Sequence, residues 1–232
     1  MKAVISGGSK GIGKAVALEL AEQGYSVAFA ARGSESLNKL KLKLDNLYPN
    51  QEFIAVECDF SKKEDIKSFT SKINWQKIDV LINNVGGYVE DSFLKTNEDR
   101  LQQILNVNLM SHHYLTKALQ NKISEGSHVF NILSNLSINI RDNATAYTVA
   151  KHAQIGLHKT MKDEYRKIGV KVTGILPGSV STASWDNVPF DPPRHEFIQP
   201  EDIAELISCN LKLSKNCLVE DIIVNPMNKS WI

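Results

Sequence analysis

Tyr147 and Lys151 are the two residues of this sequence best suited to move a proton, and they stand four positions apart. At that spacing two side chains share one face of a helix. A free tyrosine has a pKa of about 10, too high for an acid or base near neutrality, and a neighbouring ammonium favours the phenolate. We therefore expect Lys151 to lower the pKa of Tyr147 and the pair to act as a general acid and base, although this spacing alone is also ordinary helix surface.

A glycine-rich turn lies far upstream, between the first predicted strand and the first predicted helix. It contains Gly7, Ser9, Lys10, Gly11, Ile12 and Gly13. Glycine permits a sharp bend and lets a pyrophosphate approach the amides at the helix N-terminus, where the helix dipole favours an anion. A purely structural turn could look the same, but the position at the start of a β-α-β unit favours nucleotide binding.

The end of the second predicted strand indicates which dinucleotide would bind. A site for NAD(H) usually carries an acidic residue about twenty residues further on, which holds the ribose 2′-hydroxyl. Here the strand ends at Ala31-Arg32 without a carboxylate. Arg32 can bond a 2′-phosphate in a bidentate manner, and Lys10 adds a second cation. We predict NADP(H), with NAD(H) as the less favoured cofactor; the alternative is that both cations are merely solvated.

Short apolar runs alternate with helical segments along the chain, which is typical of a parallel sheet covered by helices on both faces. The predicted strands are Lys2–Ser6, Ser26–Ala31, Glu52–Cys58, Val80–Asn83, His128–Leu133, Lys171–Leu176 and Leu218–Val224. The predicted helices begin near Gly11 and at Ser34 and cover Lys63–Ile73, Glu98–Lys122, Tyr147–Ile168 and Pro200–Leu211. We predict one α/β domain, residues 1–232, with a doubly wound sheet of about seven strands and a substrate-side loop at 179–199.

Further motifs stand in a fixed order after the glycine turn. They are Asn83-Asn84-Val85-Gly86, Asn106-Val107-Asn108-Leu109, Ser134 thirteen residues before Tyr147, the YxxxK pair itself, and Pro177-Gly178-Ser179-Val180-Ser181-Thr182. Together they resemble the short-chain dehydrogenase/reductase family, in register over nearly the whole chain. The resemblance implies a Rossmann-type fold, and it is nearest to the ketoacyl and carbonyl reductases. Two departures are Ser6 for threonine and Val85 for alanine.

The resemblance adds roles to the catalytic residues. Lys151 would also bind the nicotinamide ribose, and Asn108 would anchor a water that connects Lys151 to solvent; the alternative for Asn108 is a helix-kinking or capping amide. Ser134 would hydrogen-bond the substrate oxygen beside Tyr147. Ser137 is the rival, but its spacing to Tyr147 departs from the family.

The resemblance also extends the set of cofactor-binding residues. To the glycine turn and Arg32 it adds Asp59, Asn84, Gly86, Tyr147, Lys151, Pro177, Gly178, Val180 and Thr182. Asp59 would contact the adenine amine or, alternatively, cap the following helix. Thr182 would meet the nicotinamide carboxamide or a phosphate, unless it is a plain loop hydroxyl.

The remaining chemistry-bearing side chains have weaker patterns. Tyr88, Trp185, Phe190 and Phe197 either line a substrate pocket or pack the loop onto the body. His112, His113 and His152 lack metal-ligand spacing, so we expect them at the surface or an interface, and we expect no metal site. Cys58, Cys209 and Cys217 are odd in number and lack CxxC spacing, which favours free thiols in a reducing compartment.

Composition narrows the function classes. The 232 residues are 42% hydrophobic and 23% charged, as in a folded soluble protein. A net charge of +1 gives no reason to expect nucleic acid or a membrane as partner. No apolar run is long enough to span a bilayer and no signal peptide is apparent, so the expected location is cytoplasmic. The resemblance implies a homodimer or homotetramer.

The leading functional prediction is an NADPH-dependent carbonyl reductase acting on a small carbonyl or alcohol substrate. Within the same class, an NADP-linked alcohol or sugar dehydrogenase and an NAD-linked alcohol dehydrogenase remain alternatives. A non-catalytic NADP(H)-binding regulator or redox sensor belongs to another class, but it would not need Ser134, Tyr147 and Lys151 together. The sequence leaves the substrate itself open.

Overall fold

The centre of the protein, in a computed structural model that describes residues 1–186, 191–228 and 230, is a seven-stranded parallel sheet. Its strands are β1 (Lys2–Ser6), β2 (Ser26–Ala31), β3 (Phe53–Glu57), β4 (Val80–Asn83), β5 (His128–Ile132), β6 (Lys171–Pro177) and β7 (Asp221–Val224). They lie in the order β3-β2-β1-β4-β5-β6-β7. Successive strands are therefore added on one side of β1 up to β3 and on its other side from β4 to β7. The carboxyl ends of β1 and β4 border the crevice at this switch point, which is the usual ligand site of such sheets.

Helices cover both faces of the sheet. They are α1 (Gly11–Glu22), α2 (Ser34–Leu47), α3 (Lys63–Ser71), α4 (Glu98–Leu105), α5 (Ser111–Leu119), α6 (Thr145–Arg166) and α7 (Pro200–Leu211). One hydrophobic core lies between the sheet and α1, α2 and α7, the other between the sheet and α3, α5 and α6. Alternation along β1 divides its side chains between them, with Ile5 in the first and Val4 in the second. The prediction of a doubly wound Rossmann-type sheet is confirmed. Within the described ranges, no helix has the length and apolarity to cross a membrane.

The long predicted helix Glu98–Lys122 is helical over its length but not uniform. Between α4 and α5 it forms a π turn at Asn106–Met110, and it ends in a 3₁₀ turn at Gln120–Lys122. A π turn widens the helix locally and is frequent at functional sites. The turn contains Asn108, whose side chain is fully buried. Sequence periodicity predicted the helix but not this irregularity.

Predicted element ends differ from the observed ones by a few residues. The largest difference is at the last strand, which begins at Asp221 rather than Leu218. Directly before Asp221, Gly174 N of β6 donates to Glu220 O at 2.8 Å, and one residue earlier the Thr173 hydroxyl donates to the carbonyl of Val219. At Val219 a side-chain bond thus replaces backbone pairing, so the β pattern of the sequence extends further than the strand.

The loop at 179–199 is closed at its base. Val180 and Ile198 form an isolated parallel bridge, in which Ser181 N donates to Ile198 O at 2.8 Å and Ile198 N donates to Ser179 O at 3.1 Å. The described parts on either side of the gap are therefore tied together next to β6. Phe190, predicted as a pocket residue, lies outside the described residues.

Candidate active site and cofactor cleft

A cleft of about 480 Å³ runs across the carboxyl ends of the central strands. Among the residues predicted for the site, it is lined by Gly7, Ser9, Lys10, Gly11, Ile12, Arg32, Asp59, Asn84, Gly86, Ser134, Tyr147, Lys151, Pro177, Gly178, Val180 and Thr182. Gly13 and Asn108 are not part of the lining. The tertiary structure thus brings the separate sequence motifs together along one groove.

The glycine turn at one end of the cleft depends on its missing side chains. Gly7 and Gly11 have φ of 69° and 51°, in the left-handed region that favours glycine. A Cβ on Gly13 would lie 2.2 Å from the Gly7 carbonyl oxygen, so Gly13 allows α1 to pack against the turn rather than contact a ligand. Lys10, the residue before α1, gives the helix no side-chain cap, and the amides of the first helical turn suit an anion such as a pyrophosphate.

Two polar side chains fix this turn to the turn after β4. The Asn84 amide donates to the carbonyls of Ser6 and Gly7 at 2.9 and 3.1 Å. In return the Ser6 hydroxyl accepts from the backbone N–H groups of Asn84 and Val85 at 2.9 and 3.2 Å. The hydroxyl of Ser6 is therefore the acceptor for both of these backbone N–H groups. Asn84 belongs to the scaffold of the cleft as well as to its lining.

Arg32, Lys10 and Asp59 lie at the same end of the cleft. Both cations are exposed. Asp59 accepts from the backbone N–H and the hydroxyl of Ser61 at 3.0 and 2.8 Å. Burial alone would raise the pKa of Asp59, but the Ser61 hydrogen bonds, aided by Lys62 and Arg32, outweigh it and lower the pKa. The alternative that Asp59 caps a helix is wrong, because α3 begins only at Lys63.

Tyr147 and Lys151 lie in the first two turns of α6, with Lys151 Nζ 5.5 Å from the centre of the Tyr147 ring. Burial raises the pKa of Tyr147 to about 12; the Ser134 hydrogen bond opposes this shift and Tyr88 adds to it. Burial lowers the pKa of Lys151 to about 7. The prediction that Lys151 lowers the pKa of Tyr147 is therefore wrong for the protein's own groups, because desolvation of the phenolate is the larger effect.

Of the two candidate serines, Ser134, two residues after β5, is the one that lines the cleft. Its hydroxyl accepts from Leu136 N at 3.1 Å. Ser137 is also buried, but its hydroxyl accepts from Ser134 N at 3.2 Å and so supports the turn from behind. The geometry favours Ser134 over Ser137 as the residue that can meet a substrate oxygen.

Asn108 holds the backbone of the turn after β4 from its place in the π turn. Its amide donates to Gly87 O and Ile104 O, both at 3.0 Å, and its oxygen accepts from Gly87 N at 3.2 Å. A Cβ on Gly86 would lie 3.0 Å from Asn108 Oδ1 and 3.7 Å from Lys151 Nζ. Asn108 therefore fixes the backbone at Gly87, and its side chain lies near Lys151.

The prediction that His112 lies at the surface or an interface is wrong. Its side chain is buried, 2% exposed, and its ring bonds to Gln154 and to the carbonyl of Val85. Burial, reinforced by the charge of Lys151, lowers the pKa of His112 to about 3. His113 is partly buried and His152 is exposed. Neither His112 nor Gln154 was marked by a motif, although Gln154 stands at a helical spacing from Lys151.

Aromatic side chains border the catalytic end of the cleft. The Tyr88 ring contacts Tyr147 edge-on at 5.2 Å between centroids and stacks with Trp185 at 6.0 Å. Trp185 in turn contacts Phe197 at 4.9 Å. Tyr88 and Trp185 line the cleft, whereas Phe197 is buried beside Trp185. Arg141 also lines the cleft, and no sequence motif marked it.

Comparison with known proteins identifies the family. The family profile described as short chain dehydrogenase matches residues 1–192. The chain belongs to the short chain dehydrogenase family. It is 32% identical to farnesol dehydrogenase of Aedes aegypti over an alignment of 243 positions, gaps included, with 99% of this chain and 97% of that protein covered.

Solved short chain dehydrogenase structures have the same fold. An alcohol dehydrogenase from the archaeon Thermococcus sibiricus, complexed with 5-hydroxy-NADP, superposes with a TM-score of 0.87 at 28% identity, covering 98% of this chain and 97% of that one. A metagenomic short-chain oxidoreductase in complex with NADP gives a TM-score of 0.81 at 26% identity and covers 99% and 98% of the two chains.

The cleft of this short chain dehydrogenase fits a nicotinamide dinucleotide. A Cβ on Gly11 would lie 3.0 Å from the Thr182 side chain, so the glycine leaves the groove open between the first turn of α1 and the loop after β6. Cations lie at one end and the tyrosine–lysine pair at the other. Gly7, Gly11 and the start of α1 would hold the pyrophosphate.

Proposed function

We propose that this dehydrogenase is an NADP(H)-dependent oxidoreductase that interconverts a carbonyl compound and an alcohol, with Tyr147 as general acid and base. The observation that carries the proposal is that the half-buried Tyr147 and the buried Lys151 line the same cleft as the glycine turn. When bound, the dinucleotide supplies or accepts the hydride, and the protein supplies position and a proton.

The protonation state of Tyr147 favours the reductive direction. Because its pKa is raised to about 12, the phenol is protonated at neutral pH and can donate to a carbonyl oxygen. Ser134 would hydrogen-bond that oxygen, and Lys151 would hold the nicotinamide ribose and stabilise the phenolate that forms. Asn108 would anchor a water near Lys151. An NAD-linked alcohol oxidation, the alternative, would need the phenolate at the start of the reaction.

Arg32 and Lys10 support the preference for NADP(H). Both are exposed cations that line the cleft where β2 ends, and that strand ends without a carboxylate. They would bind the 2′-phosphate of the adenosine, and Asp59 would lie near the adenine. The substrate would be a small carbonyl or alcohol that enters beside Tyr88 and Trp185. We further propose a homodimer or homotetramer.

The first test replaces the proposed acid. Tyr147→Phe keeps the ring but removes the hydroxyl, so turnover of a carbonyl panel with NADPH should fall roughly 10²–10⁴-fold while NADPH still binds. Tyr114→Phe, which changes a half-buried tyrosine of α5 that does not line the cleft, should leave turnover unchanged. Full turnover in Tyr147→Phe would refute the role of the phenol. NADPH binding without turnover by the wild-type protein would favour the non-catalytic regulator.

The second test addresses the cofactor. Calorimetric titration of Arg32→Ala should show NADPH affinity reduced about 10- to 100-fold, the value of one charge-assisted hydrogen-bonded contact of about 1.5–3 kcal/mol, with NADH affinity unchanged. Lys14→Ala removes an exposed lysine of α1 that does not line the cleft and serves as the control. Equal loss for both cofactors, or tighter NADH binding by the wild-type protein, would contradict the proposed preference.

A further inference from the structure

Lys151 has a buried side-chain partner on its own helix. Its Nζ donates to Gln154 Oε1 at 2.9 Å and makes a longer contact of 3.4 Å to the carbonyl of Ile132. Lys151 is 3% exposed and Gln154 is 1% exposed. A buried amide costs free energy unless its hydrogen bonds are made. The opposite end of Gln154 must therefore have a partner as well.

That partner is His112 on α5, and its tautomer is fixed by the backbone. His112 Nε2 lies 2.8 Å from the carbonyl of Val85, which can only accept, so Nε2 carries the proton. The ring is neutral because burial lowers its pKa to about 3. The Gln154 amide nitrogen lies 2.8 Å from His112 Nδ1 and 3.1 Å from Nε2, so it lies over the face of the ring, where the π electrons of a neutral imidazole accept an amide N–H.

The chain of hydrogen bonds has one direction. Lys151 donates to the Gln154 oxygen, the Gln154 nitrogen lies against the His112 ring, and His112 Nε2 donates to Val85 O. Because the amide nitrogen lies over the ring, and the face of a neutral ring offers no donor, the N–H end of the amide fits there better than its oxygen. The His112 ring thereby determines which end of the amide faces Lys151.

We infer that Gln154 and His112 are positioning residues that hold the Lys151 ammonium beside Tyr147 by presenting a fixed hydrogen-bond acceptor to it. The acceptor stabilises the ammonium more than the free amine and restricts the side chain to one rotamer. An apolar pair could fill the same space between α5 and α6, so packing alone does not account for the two polar side chains. The consequence for turnover rests on the proposed function.

The groups that face Lys151 come from four elements of the fold. In the described part of the chain, Tyr147 faces it from α6 and the neutral His112 from α5. β5 contributes the carbonyl of Ile132, and the π turn contributes the neutral amide of Asn108, which lies beside Gly86 as Lys151 does. A changed titration of Lys151 after substitution of Gln154 would therefore report on the acceptor.

The experiment follows the titration of Lys151 directly. With lysine labelled by ¹³C at Cε, the Lys151 signal is assigned by its loss in Lys151→Arg and followed between pH 5 and 11 in the full-length protein. Gln154→Met keeps the length of the side chain without the acceptor and should move the midpoint down by about one pH unit, a tenfold change in proton affinity. Gln154→Glu places a carboxylate there and should move it up. His152→Met, at an exposed neighbouring position of α6, should leave it unchanged.

His112 supplies a second variant that tests the direction of the chain. His112→Leu removes the acceptor that orients the Gln154 amide, so it should lower the midpoint as Gln154→Met does, and the double variant should show no larger shift than either one. An unchanged Lys151 midpoint in folded Gln154→Met and His112→Leu proteins, accompanied only by a lower Tm, would overturn the inference.

Kinetics then separate this inference from the proposed function. If Lys151 acts as an ammonium, the alkaline limb of the kcat profile should move down in Gln154→Met and up in Gln154→Glu, with KM for the carbonyl substrate little changed. An absence of turnover in the wild-type protein would defeat the proposed function, while the shifted NMR midpoints would still support the hydrogen-bond chain. Normal turnover with identical pH profiles in all variants would refute the positioning role alone.

Discussion

Replacing Lys151 by methionine should stabilise the fold at neutral pH and remove part of its pH dependence. Lys151 is 3% exposed, and burial lowers its pKa from 10.5 to about 7. Between these two values the unfolded chain binds a proton that the folded chain has largely released. The free energy of unfolding therefore rises with pH across this window, because stability increases wherever the unfolded state holds more protons.

The magnitude follows from the size of the shift. A difference of about 3.5 pKa units costs the folded state roughly 4 kcal/mol at pH 7 and roughly 2 kcal/mol at pH 9, since each unit corresponds to about 1.4 kcal/mol. Between pH 7 and pH 9 the free energy of unfolding of the wild-type protein should thus rise by about 2 kcal/mol more than that of Lys151→Met. Methionine has nearly the same length and carries no charge, so it introduces no large cavity.

Urea unfolding at both pH values, followed by tryptophan fluorescence, measures this difference. The matched control is Lys159→Met, an exposed lysine on the same helix, which should follow the wild-type pH dependence. If wild-type and Lys151→Met stabilities rise in parallel from pH 7 to pH 9, the buried lysine does not titrate in this range and the electrostatic reasoning is refuted.

Two further substitutions test the scaffold of the cleft. Gly13→Ala should lower the free energy of unfolding by about 1–3 kcal/mol and weaken NADPH binding, because the new Cβ would meet Gly7 O at 2.2 Å and Asn84 Nδ2 at 2.7 Å. A Gly13→Ala protein with the stability and NADPH affinity of the wild type would contradict the close packing. Ser6→Ala should cost about 1–3 kcal/mol by leaving the Asn84 and Val85 amides without their acceptor, whereas Ser6→Thr should be tolerated. Thermal unfolding compares Ser6→Ala with Ser6→Thr, and equal losses of stability in these two variants would show that the hydroxyl is unimportant.

Much of the fold follows from local patterns in the sequence. β1, β2 and β4 have the predicted bounds, because short apolar runs between glycine turns and helical segments mark buried parallel strands. The order of the motifs also predicted the family, which the comparison with known proteins confirms. The roles assigned to individual site residues stay predictions, although the structure brings most of them to one cleft.

Features that depend on burial were not predictable in the same way. The sequence places Tyr147 and Lys151 on one helix face, but desolvation by the surrounding elements raises the pKa of the first and lowers that of the second. The Asn108 side chain in the π turn bonds to Gly87, which comes from a separate segment. Such effects are sums over neighbours that the chain order does not reveal.

The sequence by itself determined the parallel sheet, the family and the groups that can do chemistry, because strand periodicity, turn residues and the four-residue spacing of Tyr147 and Lys151 are local properties. Only the tertiary structure decided their environment. His112 and Gln154 are 42 positions apart, and no local pattern joins them. They meet because α5 and α6 pack on the same face of the sheet, and that packing provides the acceptor for Lys151.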